Sequence, residues 1–149
     1  MATETILSLA NPVFSCYLFY VSLLTVKLMI MSLLTGFQRF KKQAVINPED
    51  TFLGAEIKID DDVERVRRAH LNDLENIPPF MVIALAYLFT NPSYKVASNL
   101  FRLFTASRFL HTLIYAVFVM PQPTRAILFW IGFVITWYMA IQGLLTFNF

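Results

Sequence analysis

Four long apolar stretches separated by polar connections form the main pattern of this 149-residue chain. We predict helical spans over about residues 12–37, 62–90, 94–119 and 124–147. About 20 helical residues cross a hydrocarbon core roughly 30 Å thick, and the first and fourth stretches satisfy this without help. The second is apolar only from Ile77 to Thr90, so we expect one helix whose polar first half turns inward.

Turn and cap signals divide the chain at the same places. Asp60-Asp61-Asp62 favour a helix start, because carboxylates cap free N–H groups and interact well with the helix dipole. Pro78-Pro79 predict a kink in the second helix. Residues 91–93 and 120–123 predict tight turns, and residues 38–61 one long loop. The sequence therefore predicts an all-α integral membrane protein, a single domain over residues 1–149 folded as an antiparallel four-helix bundle.

Composition and charge narrow the functional class. Hydrophobic residues make up 57% of the chain and charged residues only 15%, against roughly a quarter in soluble domains. Sixteen of the 22 charged side chains lie between Gln38 and Glu75. These values exclude a disordered chain, a nucleic-acid-binding domain and a disulfide-stapled secreted module. A single cysteine, Cys16, permits neither an intrachain disulfide nor a thiolate metal cluster.

The distribution of basic residues predicts the orientation in the membrane. Bases cluster in the first and third connections, at Arg39, Lys41, Lys42, Lys58 and Arg125. The second connection offers only Lys95, and the N-terminal segment has no Lys or Arg before its first apolar stretch. The positive-inside rule places the first and third connections in the cytosol and both termini on the lumenal side. We expect the first apolar stretch to be retained rather than cleaved as a signal peptide.

Ionisable side chains at membrane depth are the candidates for function, because burying them is costly. Helical geometry places one group on a single face of the second helix: Arg65, Arg68, Asn72 and Glu75. A second group shares a face of the third helix: Arg108, His111 and Tyr115. With Arg125, these faces would line a polar pocket suited to an anionic ligand that also carries an ammonium group.

Structural roles are the alternative for several of these side chains. The charges of residues 64–75 would also suit a solvated helix with i,i+4 ion pairs. His111 and Tyr115 would also suit ordinary bundle packing. We expect Lys27 to snorkel or to meet a carboxylate or a carbonyl in the bundle, and Arg102 to anchor the lumenal end. Two histidines 41 positions apart, with no HExxH motif, argue against zinc.

Four motifs in chain order resemble the MAPEG superfamily, the membrane-associated proteins in eicosanoid and glutathione metabolism. They are NPED at 47–50, VERVRRAHLNDLEN at 63–76, RFLHTLIY at 108–115 and PQPTRA at 121–126. The resemblance covers nearly the whole chain. It favours the microsomal glutathione transferase branch, with the inducible microsomal prostaglandin E synthase branch as a close relative.

The resemblance implies a homotrimer that binds glutathione between neighbouring subunits near the cytosolic face. It implies these glutathione-binding side chains: Arg39, Arg68, Asn72, Glu75, His111, Tyr115 and Arg125. Arg125 and Asp50 are the implied catalytic residues. Arg125 would stabilise the thiolate, while Asp50 would orient Arg125 or assist proton transfer. Glutathione is then the cosubstrate, with no metal.

The implied activity is conjugation of glutathione to lipophilic electrophiles, with peroxidase activity on lipid hydroperoxides. A glutathione-dependent prostaglandin E synthase and a non-enzymatic lipid-presenting scaffold are the alternatives. Ala126 and Leu71 stand where the synthases carry serine and arginine, which favours the transferase. Thr51 replaces the reactive cysteine of the family transferase, so we expect no thiol switch there. The implied location is the endoplasmic reticulum membrane, with the mitochondrial outer membrane as the alternative.

Overall fold

Four helices carry most of the chain. The computed structural model describes residues 5–51 and 54–147. The helices are α1 (Pro12–Lys42), α2 (Asp61–Leu88), α3 (Tyr94–Thr112) and α4 (Thr124–Thr146), and a π-helical turn over Leu113–Val117 extends α3. A 3-10 turn covers Pro48–Asp50. These bounds confirm the four predicted helices.

Side-chain caps explain where three of the helices begin. The Asn11 side chain accepts a hydrogen bond from the Val13 N–H at 2.9 Å, and Pro12 occupies the first turn of α1. Asp60 accepts from the Asp62 N–H at 2.9 Å at the start of α2. Ser93 caps α3. These oxygens satisfy N–H groups that have no partner inside the helix.

The first connection differs from the expected irregular loop. Helix α1 continues to Lys42, beyond the predicted end near residue 37, and stops where Gln43 adopts a left-handed conformation with φ 49°. Strand β1 (Ala44–Val45) then pairs in parallel with β2 (Glu56–Ile57). Lys42 forms an ion pair with Asp62, and this pair ties the end of α1 to the start of α2.

Each helix packs most extensively against two others. Helix α1 contacts α2 and α3, and α4 contacts the same two, so α2 and α3 lie on one diagonal of the bundle. Aromatic stacking connects α2 directly to α3, because the Phe80 and Phe104 rings stack with their centroids 3.6 Å apart. The core also contains Leu24 of α1 and Met139 of α4, both fully buried. The bundle thus brings the C-terminal end of α3 next to the start of α4.

Two of the described helices, α1 and α4, are long and apolar enough to cross a membrane by length and composition. Helix α2 contains Pro78 and Pro79 within its helical run. Both α2 and α3 bury charged side chains, Asp73 and Arg108, at 0% exposure. That these two helices also cross the membrane stays a prediction.

Candidate functional site

A polar cavity of about 300 Å³ lies between α2 and the end of α3. Its lining consists of Arg68, Leu71, Asn72, Glu75, His111 and Tyr115. The three polar residues of α2 recur at i, i+4 and i+7, so successive turns present them on one face. The cavity therefore combines a guanidinium, a carboxylate, an amide, an imidazole and a phenol.

A second cavity of about 300 Å³ shares three wall residues with the first, Asn72, His111 and Tyr115. Its remaining wall comes from the last connection and α4: Gln122, Arg125, Ala126 and Phe129. Arg125 therefore lies beside the polar cavity.

An aromatic groove continues from these cavities along α4. This cavity of about 340 Å³ shares Glu75 with the polar cavity and Phe129 with the Arg125 cavity. Phe129, Phe133 and Trp137 recur every four residues on one face of α4, with successive ring centroids 5.7 and 5.8 Å apart. A polar site and an apolar site thus adjoin at the Arg125 end of the bundle.

Ring stacking orders the wall between the two polar cavities. The His111 and Tyr115 rings lie 5.7 Å apart at an interplanar angle of 12°. The Arg125 guanidinium carbon lies 4.6 Å from the Tyr115 ring centroid. Neither Arg68 nor Arg125 forms an ion pair with any residue that the structure describes. Both guanidiniums therefore remain available to an anion.

Buried polar contacts support the cavity from the centre of the bundle. Arg108 donates from Nη1 to the Asn72 side-chain oxygen at 3.0 Å and from Nη2 to the Leu128 carbonyl at 3.5 Å. Lys27 of α1 forms an ion pair with Asp73. Thr112 accepts a hydrogen bond from Lys27 at 2.8 Å and donates one to Asp73 Oδ2 at 3.1 Å.

The structure brings together six of the eight predicted site residues and leaves two apart. Arg68, Asn72, Glu75, His111, Tyr115 and Arg125 line the joined polar cavities. Arg39 lies on α1 and lines neither cavity. Asp50 is exposed in the first connection, where its carboxylate accepts from the Asn47 side chain at 3.1 Å. Asp50 forms no ion pair with Arg125 among the described residues, and its role toward Arg125 stays a prediction.

Other candidates from the sequence have structural contacts. Arg65 pairs with Asp62 at 2.7 Å instead of lining the polar cavity. Arg102 is exposed, and its Nε lies 3.5 Å from the Tyr20 hydroxyl. Cys16 shares a separate cavity with Arg102 at the opposite end of α3.

Sequence reasoning missed Asp73 and Thr112 as neighbours of the site. In the sequence Asp73 fits the charge pattern of a solvated helix, yet its side chain is fully buried. The available signal was Lys27, whose position in an apolar stretch required a partner. Among the described residues, no group of three His, Cys, Asp or Glu side chains is placed to hold a metal ion.

Comparison with known proteins shows which family this chain is similar to. The model of the MAPEG family matches residues 17–145. Human microsomal glutathione S-transferase 1 is 42% identical over 139 residues, which cover 89% of each chain. The bovine protein of the same name is 43% identical over the same shares. Horse prostaglandin E synthase is 32% identical over 145 residues, covering 95% of this chain and 94% of its own.

Proposed function

The chain belongs to the MAPEG family, and we propose that it is a membrane-bound glutathione transferase that conjugates glutathione to lipophilic electrophiles. This membership confirms the resemblance inferred from the four motifs. Several transferase relatives, each about 40% identical over most of the chain, support the enzyme class. A peroxidase activity on lipid hydroperoxides would use the same thiolate.

One observation carries the proposal. The polar cavities, with two guanidiniums free of ion pairs among the described residues, adjoin an aromatic groove on α4. Such an arrangement fits two substrates of opposite polarity, a charged peptide and an apolar electrophile. Arg125 lies in the wall shared with Phe129, where the two would meet.

Charge and hydrogen-bonding capacity assign the parts of glutathione to the polar cavities. Arg68 and the Asn72 amide suit its carboxylates, because guanidinium and N–H groups donate to anionic oxygen. Glu75 suits its ammonium group. His111 and Tyr115 add hydrogen bonds from α3 and its π-helical turn.

Arg125 supplies the chemical activation. The anionic form of a thiol is its nucleophilic form, and a thiol has an ordinary pKa near 8.5. A guanidinium beside the sulfur favours the anion and so increases the thiolate fraction at neutral pH. The thiolate then attacks the electrophile from the polar side of the groove, forming the sulfur–carbon bond and expelling the leaving group.

Two cavity residues favour conjugation over prostaglandin isomerisation. Ala126 lines the Arg125 cavity and Leu71 lines the polar cavity. By resemblance, prostaglandin synthases carry a serine and an arginine at these positions, so this chain lacks a hydroxyl and a cation there. Prostaglandin E synthase activity nevertheless remains the second candidate, because the horse and human synthases are also relatives. A non-enzymatic lipid scaffold would not need the cavity's charged set.

Parallel assays on detergent-purified protein test the proposal. Chlorodinitrobenzene measures conjugation, a prostaglandin endoperoxide measures isomerisation, and cumene hydroperoxide measures peroxidase activity. We expect glutathione-dependent conjugation well above an empty-membrane control. Endoperoxide turnover far faster than conjugation would make prostaglandin E synthase the first candidate function and glutathione transferase the second. No activity in any assay and no calorimetric glutathione binding would favour the scaffold.

The proposed assembly is a homotrimer with the site between subunits. Arg39 does not line the cavities of its own subunit, so its predicted role requires a copy from a neighbour. Co-expression of Arg39→Ala and Arg125→Ala subunits tests this. A shared site restores part of the activity in mixed oligomers, because some sites receive both intact arginines. Activity no higher than that of either variant alone would exclude a shared site.

The proposed location is the endoplasmic reticulum membrane, with the site facing the cytosol. Microsomal relatives support a membrane location, and the basic residues of the first and third connections support the orientation. The cytosol would supply glutathione, while the bilayer would concentrate the electrophile. The mitochondrial outer membrane is the alternative, and organelle fractionation of the full chain distinguishes the two.

A further inference from the structure

We infer that three buried side chains, Lys27, Asp73 and Thr112, act together as a positioning unit for the glutathione site. These three side chains form the buried cluster. Their exposed fractions are only 3%, 0% and 9%. The inference rests on the proposed function and concerns residues that bind no ligand themselves.

The buried cluster joins three helices at one point. Lys27 comes from α1, Asp73 from α2 and Thr112 from the last residue of α3. The Thr112 hydroxyl accepts from the lysine at 2.8 Å and donates to the carboxylate at 3.1 Å. Since α2 and α3 lie on a diagonal of the bundle, this contact fixes two helices that pack mainly against others.

Two members of the buried cluster, one on α2 and one on α3, are each adjacent in sequence to a residue that lines the polar cavity. Asp73 follows Asn72, and Thr112 follows His111. The hydrogen bond between Asp73 and Thr112 therefore sets the separation of Asn72 and His111 across the cavity. A shift of α3 relative to α2 would move both ligand contacts together.

Arg108 also fixes the orientation of the Asn72 side-chain amide. It is fully buried and donates to the Asn72 side-chain oxygen at 3.0 Å. With its oxygen engaged, Asn72 presents its NH₂ group to a ligand, and this group suits a carboxylate or carbonyl. The orientation of Asn72 thus depends on how α2 is held against α3.

The charges of this region also suit an anionic ligand. Lys27 and Arg108 contribute two positive charges and Asp73 one negative charge, all at low exposure. One positive charge remains in excess beneath the cavity. Removing a buried ion pair often changes stability little when hydrophobic residues replace it, so stability alone does not explain this cluster. A role in positioning a ligand with two carboxylates explains why these charges are buried here.

A matched pair of threonine variants tests the inference. Thr112→Val keeps the side-chain shape and removes both hydroxyl contacts, while Thr105→Val makes the same change at a buried site of α3 outside the cluster. We expect Thr112→Val to raise the glutathione Kd and KM about fivefold, because Asn72 and His111 lose the spacing that the hydroxyl contacts hold. The KM for chlorodinitrobenzene and kcat at saturating glutathione should change less than about twofold, because both depend on contacts that the variant retains. Thr105→Val should match the wild type in all three.

A purely structural role would lower the melting temperature of Thr112→Val without changing glutathione affinity, and that result would overturn the inference. A double variant, Lys27→Met with Asp73→Leu, removes both charges of the pair. We expect the folded double variant to bind glutathione more weakly than the wild type and to keep its chlorodinitrobenzene KM. Wild-type affinity in Thr112→Val or in the double variant would overturn the positioning role alone. A wild-type protein that neither binds glutathione nor turns over chlorodinitrobenzene would overturn the proposed function as well.

Discussion

The Arg125 guanidinium lies over the Tyr115 ring, with its central carbon 4.6 Å from the ring centroid. The same ring also stacks nearly in parallel on His111, with ring centroids 5.7 Å apart. A cation above an aromatic face is attracted to the ring's electron-rich surface. Tyr115 therefore orders the cation that the proposed reaction requires, and it does so from a different helical segment.

Replacement of Arg125 should remove thiolate stabilisation. We expect Arg125→Ala to lower kcat for chlorodinitrobenzene about a hundredfold, as loss of a strong electrostatic contact in an enclosed site does. The ultraviolet absorbance of bound thiolate should fall in parallel. Arg102→Ala, at the other end of the bundle, is the matched control and should keep both signals. Full thiolate absorbance in Arg125→Ala would show that another group ionises the sulfur.

Substitutions of Tyr115 separate the ring from its hydroxyl. Tyr115→Phe keeps the aromatic face, so Arg125 stays ordered and kcat should fall less than about threefold. Tyr115→Leu removes the face, and kcat should fall about tenfold further, because the cation loses its fixed position. Steady-state kinetics at saturating glutathione measure both effects. Equal activities for the two variants would mean that the ring does not order Arg125.

Much of the fold and most of the polar site could be predicted from local sequence signals. The Asp60 cap and the Asn91-Pro92 turn marked the limits of α2 closely. Helical periodicity placed Asn72 and Glu75 on one face, and the cavity confirms that they share a wall. Such features depend on neighbours within about two turns, which a single sequence records directly.

Contacts between distant segments were harder to predict. No local period shows that Asp73, amid several surface charges, turns to meet Lys27 across 46 positions of the chain. The placement of Arg39 and Asp50 outside the cavity was equally hidden, since motifs give residue types and order but no distances. The short β1–β2 ladder also escaped prediction, because two residues are too few for a period to appear.

Glu75 should recognise the ammonium group of glutathione. Glu75→Gln removes the charge but keeps the size, and we expect the glutathione Kd to rise about tenfold through loss of a charge-assisted contact. N-acetylglutathione has no ammonium group, so its weaker binding should not respond to the variant. Glu64→Gln is the matched control, because Glu64 pairs with Arg67 and lines neither polar cavity. An equal loss of affinity for both peptides would mean that Glu75 contacts a part of glutathione other than its ammonium group.

Lys27 should be needed for stability as long as Asp73 keeps its charge. Lys27→Met leaves a fully buried carboxylate with Thr112 as its remaining hydrogen-bond partner among the described residues. Breaking one side of a buried pair typically costs about 3–5 kcal/mol, because the other charge stays desolvated. Thermal unfolding in detergent micelles should therefore show a clearly lowered Tm.

Two further variants test whether the unpaired Asp73 carboxylate causes the lowered Tm of Lys27→Met. Adding Asp73→Leu to Lys27→Met should recover most of the Tm, since the buried carboxylate that lost its lysine is then also removed. Lys42→Met breaks the Lys42–Asp62 pair, which water reaches, and should change the Tm little. A double variant no more stable than Lys27→Met would instead assign the loss to the packing of the lysine's hydrocarbon chain against its neighbours.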